Sequence, residues 1–313
     1  MNREVLIAGS YLKKMPELLG LGIIAHSIWE IPDWDAFLRV SASDIRIIVT
    51  DTFTGADAQM MAAFPNLEAV VNLGVGYEKV DVAYARSRGV QVSNTPGVLD
   101  DDVADLAIGL MLAVRRRMVQ ADRFVREGGW NKGMFPLTHR LSGARLGIVG
   151  LGRIGKAVAR RALGFGLDIA YHGRHEQADQ PYRFFPELFD LAAAVDFLVV
   201  LVPDNATTRK LISREVLSAL SGNKGILINV ARGPVVDEAA LVELLVSGQL
   251  GGAGLDVFEN EPQVPAELLS LDTVVLQPHV GSATTETRQA MMQLTLDNLQ
   301  ACFRGEPLLT PVW

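Results

Sequence analysis

Short runs of β-branched and aliphatic residues alternate with amphipathic stretches, first between residues 4 and 94 and again between residues 145 and 276. In the first series, the apolar runs predict strands at residues 5–8, 22–24, 45–50, 67–72 and 90–92. In the second series, they predict strands at residues 145–149, 167–172, 197–202, 226–230, 254–257 and 274–276. Strands that alternate with helical segments are typical of βαβ units and parallel sheets. The sequence therefore predicts an α/β fold with two doubly wound parallel-sheet domains.

Two longer helical patterns mark where the chain passes between these domains. Residues 100–118 begin with Asp100, Asp101 and Asp102, which we interpret as helix-start residues rather than a metal site, and end with arginines. Residues 284–304 form a second helical pattern, which we expect to pack against the first domain. The predicted domains are residues 1–98 plus 283–313, with a flavodoxin-like sheet, and residues 99–282, with a Rossmann sheet. Ligands of such sheets bind at the strand ends, so we expect an active-site cleft between the domains.

Composition and charge narrow the choice of partner and compartment. A formal net charge of −7 gives no electrostatic footprint for nucleic acid or anionic lipid. Cys302 is the only cysteine, so an intramolecular disulfide is impossible, as fits a reducing compartment. The N-terminal residues lack a signal-peptide pattern, and the apolar run at residues 106–114 is too short to span a bilayer. We expect a cytoplasmic protein that binds neither nucleic acid nor membrane.

A glycine-rich loop follows the first strand of the second series. Gly150, Gly152 and Gly155 have the G-x-G-x-x-G spacing, with Arg153 and Ile154 between the last two glycines. In a dinucleotide site, these glycines make a tight turn, admit the pyrophosphate and allow close helix–sheet packing, respectively. A turn without a ligand is the alternative, but the preceding strand and the helical pattern at residues 154–165 favour a cofactor site whose phosphates lie at the helix N-terminus.

The next strand of this series bears on which cofactor is bound. An NAD site would place an acidic residue at its end, but the sequence there reads His172-Gly173-Arg174-His175. Gly173 removes the carboxylate that would repel a 2′-phosphate, and the guanidinium of Arg174 is suited to bind one. The sequence therefore favours NADPH, with NADH as the weaker alternative. Arg174 is otherwise a solvated loop cation, and His175 is a weaker candidate contact.

Three candidate catalytic side chains follow later strands of the second series. Arg232 follows residues 226–230 and can hold a carboxylate through a bidentate pair while polarising a neighbouring keto oxygen. His279 is a candidate acid for protonating the oxygen that a hydride reduction leaves. A carboxylate from Glu261 at the second ring nitrogen would favour the imidazolium and fix its orientation. A surface ion pair for Arg232 and a structural role for His279 are the plainer alternatives.

Six motifs in this order resemble the D-isomer-specific 2-hydroxyacid dehydrogenase family across essentially the whole chain. Besides the glycine loop, they occupy residues 72–77, 94–97, 229–234, 256–262 and 278–284. The resemblance implies that Arg232 binds and polarises a 2-keto acid, that His279 is the acid–base and that Glu261 is its partner. It also implies that the substrate carboxylate meets the amides of Val75 and Gly76, within a contact set of Leu73, Gly74, Val75, Gly76 and Arg232, and that Asp256 lies near the nicotinamide. Further predicted cofactor contacts are Val202, Pro203, Val230, Ala231, Asp256, His279 and Gly281.

Within that family, residues 103–110, Gly129-Trp130 and residues 171–174 most resemble the glyoxylate/hydroxypyruvate reductase branch, which uses NADPH. Glyoxylate and hydroxypyruvate are the leading substrates; a hydroxyphenylpyruvate-type acid or 2-ketogluconate is the alternative, and a nucleotide-sensing co-regulator of the same fold is a more distant one. The resemblance also implies a homodimer, for which Leu106, Leu110 and Ala113 are candidate contacts. Trp130 would then reach the partner's substrate site.

Overall fold

The computed structural model describes residues 4–9, 12, 13, 15–18 and 23–313. The strands are β1 (Glu4–Ile7), β2 (Ile24–Ser27), β3 (Ile45–Asp51), β4 (Ala69–Leu73), β5 (Gln91–Ser93), β6 (Arg145–Val149), β7 (Asp168–His172), β8 (Arg183–Phe184), β9 (Phe197–Val200), β10 (Ile226–Asn229), β11 (Gly252–Leu255) and β12 (Val274–Leu276). The helices are α1 (Met15–Leu18), α2 (Trp34–Ser41), α3 (Ala58–Ala62), α4 (Val82–Ser87), α5 (Asp100–Arg115), α6 (Met118–Arg126), α7 (Arg153–Gly164), α8 (Leu188–Ala194), α9 (Arg214–Ser221), α10 (Glu238–Val246), α11 (Ala266–Leu269) and α12 (Thr285–Phe303). The chain divides into two compact units, Met1–Leu99 with Thr285–Trp313, and Asp100–Thr284.

The first unit is built on a five-stranded parallel sheet in the order β2-β1-β3-β4-β5, which is the flavodoxin-like order. Its inner strands β1 and β4 are buried along their whole length, which explains their unbroken apolar sequence. Helix α12 packs against β4. The predicted strand at residues 22–24 was wrong in position, because β2 begins at Ile24, and residue 22 lies outside the described part. This edge strand buries only Ser27, so its apolar pattern is weak.

The second unit is built on a seven-stranded parallel sheet in the order β12-β11-β10-β9-β6-β7-β8, the Rossmann order extended by one strand. The prediction missed β8, which has only two residues and forms the edge of the sheet. It also placed β11 two residues too late, because the strand starts at Gly252, where glycines hide the apolar pattern. Val149, Val200, Asn229, Leu255 and Leu276 lie side by side across five strands. These strands therefore end at one level of the sheet.

Helix α5 begins at Asp100, as predicted, and two of its three first-turn aspartates pair with arginines of α7, Asp100 with Arg153 and Asp101 with Arg160. The predicted helix at residues 100–118 was wrong at its end, because Arg117 adopts a left-handed conformation (φ 49°) between α5 and α6. Leu110 was also wrongly predicted as a dimer contact: it is 2% exposed because α5 packs against β10 and β11 of its own unit. No helix within the described residues is both long and apolar enough to cross a membrane.

Candidate active site

The predicted catalytic side chains follow neighbouring strands of the second sheet. Arg232 lies three residues after β10, Asp256 directly after β11, and His279 three residues after β12. The common level at which these strands end places the three segments at one edge of the sheet. Glu261 reaches the same edge through the loop after β11.

Asn229 and Gly233 shape the turn that carries Arg232. Oδ1 of Asn229 accepts a hydrogen bond from the amide of Ala231 (3.1 Å), and Nδ2 donates to the carbonyl of Arg232 (3.1 Å). A Cβ at Gly233 would lie 1.9 Å from the carbonyl carbon of Phe258. Only glycine therefore permits the turn to pack against the loop that carries Glu261. The charge of Arg232 acts on the carboxylate of Glu261.

Glu261 and His279 form a hydrogen-bonded pair. Nδ1 of His279 lies 2.8 Å from Oε2 of Glu261, and Oε1 accepts from the amide of Phe258 (3.1 Å). Burial raises the pKa of Glu261, but the hydrogen bond and charge of His279, the Phe258 amide and the charge of Arg232 outweigh it, so that this pKa lies below its ordinary value. Glu261 is thus a carboxylate at neutral pH. Because it engages Nδ1, proton exchange with a substrate must pass through Nε2.

Asp256 holds the backbone of the His279 loop. Its carboxylate accepts hydrogen bonds from the amides of Val280 (2.7 Å) and Gly281 (2.8 Å), and its carbonyl accepts from the amide of His279 (2.8 Å). Burial raises the pKa of Asp256 more strongly than the two amides lower it. The sequence analysis did not predict these hydrogen bonds of Asp256. The position of an acidic residue directly after an apolar strand was the sequence feature that could have indicated them. A contact of Asp256 or Gly281 with the cofactor stays a prediction.

The glycine loop fits a dinucleotide phosphate. Gly150 has φ 97°, and a Cβ there would lie 2.8 Å from Cγ1 of Val202. A Cβ at Gly155 would lie 2.3 Å from the carbonyl oxygen of Gly150, so this glycine is needed for close packing of α7. A Cβ at Gly152 would meet no atom within 4 Å. Gly152 directly precedes α7, and the absence of a side chain there leaves space for a phosphate next to the amides of Arg153 and Ile154 at the helix N-terminus.

The predicted cofactor-selecting residues follow β7. Arg174 and His175 are exposed. Gln177 was missed by the sequence analysis: its Nε2 donates to the carbonyl of Leu151 (2.9 Å), and its amide donates to the hydroxyl of Tyr171 (2.7 Å). Gln177 therefore ties the Arg174 loop to the glycine loop. No local pattern marks such a long-range bond in the sequence.

Other predicted cofactor residues follow strands that flank the glycine loop. Val202 and Pro203 follow β9, and Val230 and Ala231 follow β10, each of the latter 8% exposed. Their contacts with a cofactor stay predictions.

Apart from Arg232, the residues predicted to contact the substrate belong to the first unit, where Leu73 ends β4 and Gly74, Val75 and Gly76 follow it. Leu73 is buried, whereas Gly74 has φ 133°, a conformation that favours glycine. Among the described residues, neither the Val75 nor the Gly76 amide donates a backbone or side-chain hydrogen bond. Asn72 and Asn94 instead donate to carbonyls of this loop. Two amides that have no acceptor here are suitable donors to a carboxylate.

Known proteins resemble this chain over most of its length. A sequence profile described as "D-isomer specific 2-hydroxyacid dehydrogenase, NAD binding domain" matches residues 108–281. Glyoxylate/hydroxypyruvate reductase A of Arabidopsis thaliana is 50% identical over 284 residues, which are 91% of this chain and 90% of that protein. Hydroxyphenylpyruvate reductase of Plectranthus scutellarioides is 52% identical over 284 residues, with the same coverage of 91% and 90%. The crystal structure of an NADPH-dependent glyoxylate/hydroxypyruvate reductase from Sinorhizobium meliloti, in complex with NADP and malonate, matches with a TM-score of 0.90 and 46% identity, covering 100% of this chain and 97% of that one.

Proposed function

Because the chain belongs to the D-isomer-specific 2-hydroxyacid dehydrogenase family, and is thus an oxidoreductase with a nicotinamide cofactor, we propose that it reduces glyoxylate and hydroxypyruvate to D-2-hydroxy acids with NADPH. The observation that carries the proposal is the 2.8 Å pair of Glu261 and His279 at the sheet edge that also bears Arg232. Reduction of a keto acid requires a proton donor for the keto oxygen and a positive charge that stabilises this oxygen as it becomes negative. His279 and Arg232 are suited to these two tasks.

Each proposed site residue has a separate task. Arg232 binds the keto acid through its planar fork and stabilises negative charge as it develops on the keto oxygen. The amides of Val75 and Gly76 hold the carboxylate, within the contact set that includes Leu73 and Gly74. A reduced nicotinamide, when bound, would supply the hydride for C2 of the keto acid. As the carbonyl electron pair moves to oxygen, His279 delivers the proton from Nε2, and Glu261 keeps the ring oriented for that transfer.

The preference for NADPH rests on Gly173 and Arg174. Gly173 occupies the position at which an acidic residue would repel a 2′-phosphate, and Arg174, which is exposed, has a guanidinium suited to bind one. The Sinorhizobium meliloti reductase is described as NADPH-dependent, which supports the same choice. NADH remains the weaker alternative. The predicted contacts of the glycine loop and of His175 belong to this proposal.

The test is a set of initial rates with glyoxylate, hydroxypyruvate, hydroxyphenylpyruvate and 2-ketogluconate, each with NADPH and with NADH. We expect the two small acids and NADPH to give the highest kcat/KM and a product of D configuration. His279→Asn should abolish most turnover, whereas His139→Asn, at an exposed histidine, should not. A preference for either larger acid would replace the substrate assignment, and tight NADPH binding without turnover of any acid would favour the nucleotide-sensing co-regulator.

We also propose that the chain forms a homodimer. Several large apolar side chains between residues 118 and 137 are solvent-exposed, among them Trp130 (71%), Met134 (89%) and Leu137 (97%). Apolar groups concentrated in this way mark interaction surfaces. Sedimentation equilibrium should give twice the chain mass, and Trp130→Ser combined with Leu137→Ser should give monomers. Full activity in a proven wild-type monomer would exclude a role for the partner's Trp130 in the site.

A further inference from the structure

We propose that residues 310–312, the C-terminal segment, act as a positioning element for substrate binding, and that Thr310 acts through Asn94 to fix the direction of the Gly76 amide. The inference rests on the proposed function, because it takes the amides of Val75 and Gly76 as the donors to the substrate carboxylate. All of the residues involved belong to the first unit.

The direction of each proposed donor is set by the carbonyl of the same peptide group. In a trans peptide the C=O and N–H bonds point in opposite directions, so holding one aims the other. The carbonyl of Gly74 accepts from Nδ2 of Asn72 (3.2 Å) and from the amide of Thr95 (3.0 Å), which turns the Val75 N–H away from both. Among the described residues, the carbonyl of Val75 accepts a hydrogen bond only from Nδ2 of Asn94 (2.8 Å). The Gly76 amide therefore depends on Asn94.

Asn94 is in turn held by the C-terminal segment. Its carbonyl accepts from the hydroxyl of Thr310 (2.6 Å), and its amide donates over a longer 3.3 Å to the carbonyl of Thr310. The segment runs antiparallel beside β5, with a bridge between Ser93 and Pro311 and a 2.8 Å hydrogen bond from the Val312 amide to the carbonyl of Val92. These bonds make the segment an extra edge to the sheet at the point where Asn94 leaves it.

Asn298 of α12 holds Thr310 in place, and the Asn298 residue is fully buried. Nδ2 of Asn298 donates to the hydroxyl of Thr310 (3.0 Å), and Oδ1 accepts from the amide of Thr310 (3.2 Å). The hydroxyl thus accepts one hydrogen bond while donating another, and a single oxygen connects α12 to Asn94. Loss of that oxygen would leave the Asn94 carbonyl without its donor and allow the Asn94 side chain to turn.

Thr310→Val is the variant that isolates this connection, because it keeps the branched shape and removes only the hydroxyl. We expect the KM for glyoxylate and the Ki for oxalate, tested as an unreactive dicarboxylate analogue of glyoxylate, to rise about tenfold, as weakening one hydrogen bond to a charged group would produce. The KM for NADPH and the kcat should stay within about twofold, since the second unit carries the chemistry. Thr310→Ser should restore the wild-type KM, and Leu309→Ala, at an exposed neighbour, should not change it.

Amide hydrogen exchange of residues 74–77 provides a readout that does not require turnover. Faster exchange in Thr310→Val than in Thr310→Ser, together with the selective rise in KM, would support the connection. An unchanged KM and Ki, or losses shared equally by keto acid and NADPH, would overturn it. If the wild type reduced no keto acid, the proposed function would fail, while unchanged exchange in Thr310→Val would separately refute the connection. Thr310→Ala replaces the valine variant should the latter not fold.

Discussion

Replacing Glu261 with glutamine should slow keto-acid reduction about 10- to 100-fold at about pH 7.5. The reason is the 2.8 Å pairing of Glu261 with Nδ1 of His279, which orients the ring and places a negative charge beside it. Glutamine keeps a hydrogen-bond acceptor at this position but removes the charge that stabilises the ring while it carries the proton for the substrate oxygen.

The magnitude follows from the geometry of the pair. The two side chains lie 2.8 Å apart and are about a quarter exposed, at 24% for His279 and 26% for Glu261. A hydrogen bond to a charged group contributes about 1.5–3 kcal/mol, against about 0.5–1.5 kcal/mol for a neutral one. Glutamine can still accept through Oε1, so the loss is this difference plus part of the screened Coulomb attraction, about 1.4–2.8 kcal/mol. Each 1.4 kcal/mol is a factor of about ten.

The pH of the assay must leave Glu261 ionised. Its pKa lies below the ordinary value of 4.5, so the wild-type side chain is a carboxylate at about pH 7.5. The lowered pKa of Glu261 also stabilises the folded protein at pH values above the ordinary pKa. This contribution to stability is lost as the pH falls through the lower pKa of the folded state.

The assay compares kcat for hydroxypyruvate reduction at about pH 7.5 in wild type, Glu261→Gln and Glu259→Gln. Glu259 is an acid of the same loop, and its variant controls for a change of net charge. A kcat of Glu261→Gln within about twofold of the wild-type value would refute the electrostatic reasoning and leave Glu261 with a role in ring orientation only, which glutamine can also fill. A deficit in Glu259→Gln as large as that in Glu261→Gln would also count against it.

Three other changes separate the remaining roles. Arg232→Lys should lower kcat/KM about 100-fold with losses in both KM and kcat, because a point charge cannot reproduce the planar fork; near-normal steady-state kinetics would exclude that role. Arg174→Ala should raise the KM for NADPH about tenfold and leave the KM for NADH unchanged, and equal effects on both cofactors would contradict the 2′-phosphate assignment. Gly152→Ala should keep the melting temperature while weakening NADPH binding in fluorescence titration, whereas Gly155→Ala should cost about 1–3 kcal/mol of stability through its contact with Gly150. A normal melting temperature in Gly155→Ala would contradict the packing reason.

The sheets and the Glu261–His279 pair were predictable because both follow from regular rules. Buried parallel strands require continuous apolar runs, and their carboxyl ends meet at one edge, so residues distant in sequence were expected to lie together. The structure confirms the two doubly wound sheets. The errors fall where these rules weaken, at the half-exposed edge strand β2 and at Arg117, whose left-handed backbone has no marker in the sequence.

The supporting hydrogen bonds were not predictable from the sequence. Gln177 to Leu151, Asp256 to the Val280 amide and Thr310 to Asn94 each join a side chain to backbone that is distant in sequence. Such bonds depend on how loops fold back after the strands have assembled, and no periodicity encodes them. The cytoplasmic location and the pairing of subunits stay predictions.

The left-handed backbone of His279 (φ 55°) has a consequence for how mutants at this position are interpreted. A longer replacement such as glutamine loses the ring and must also tolerate a conformation that costs most residues about 1 kcal/mol or more, whereas asparagine and glycine adopt it readily. Part of a glutamine variant's defect would thus be displacement of the Val280 and Gly281 amides from Asp256. A comparison of asparagine, glycine and glutamine variants at position 279 would divide the lost activity between the missing proton donor and the disturbed loop.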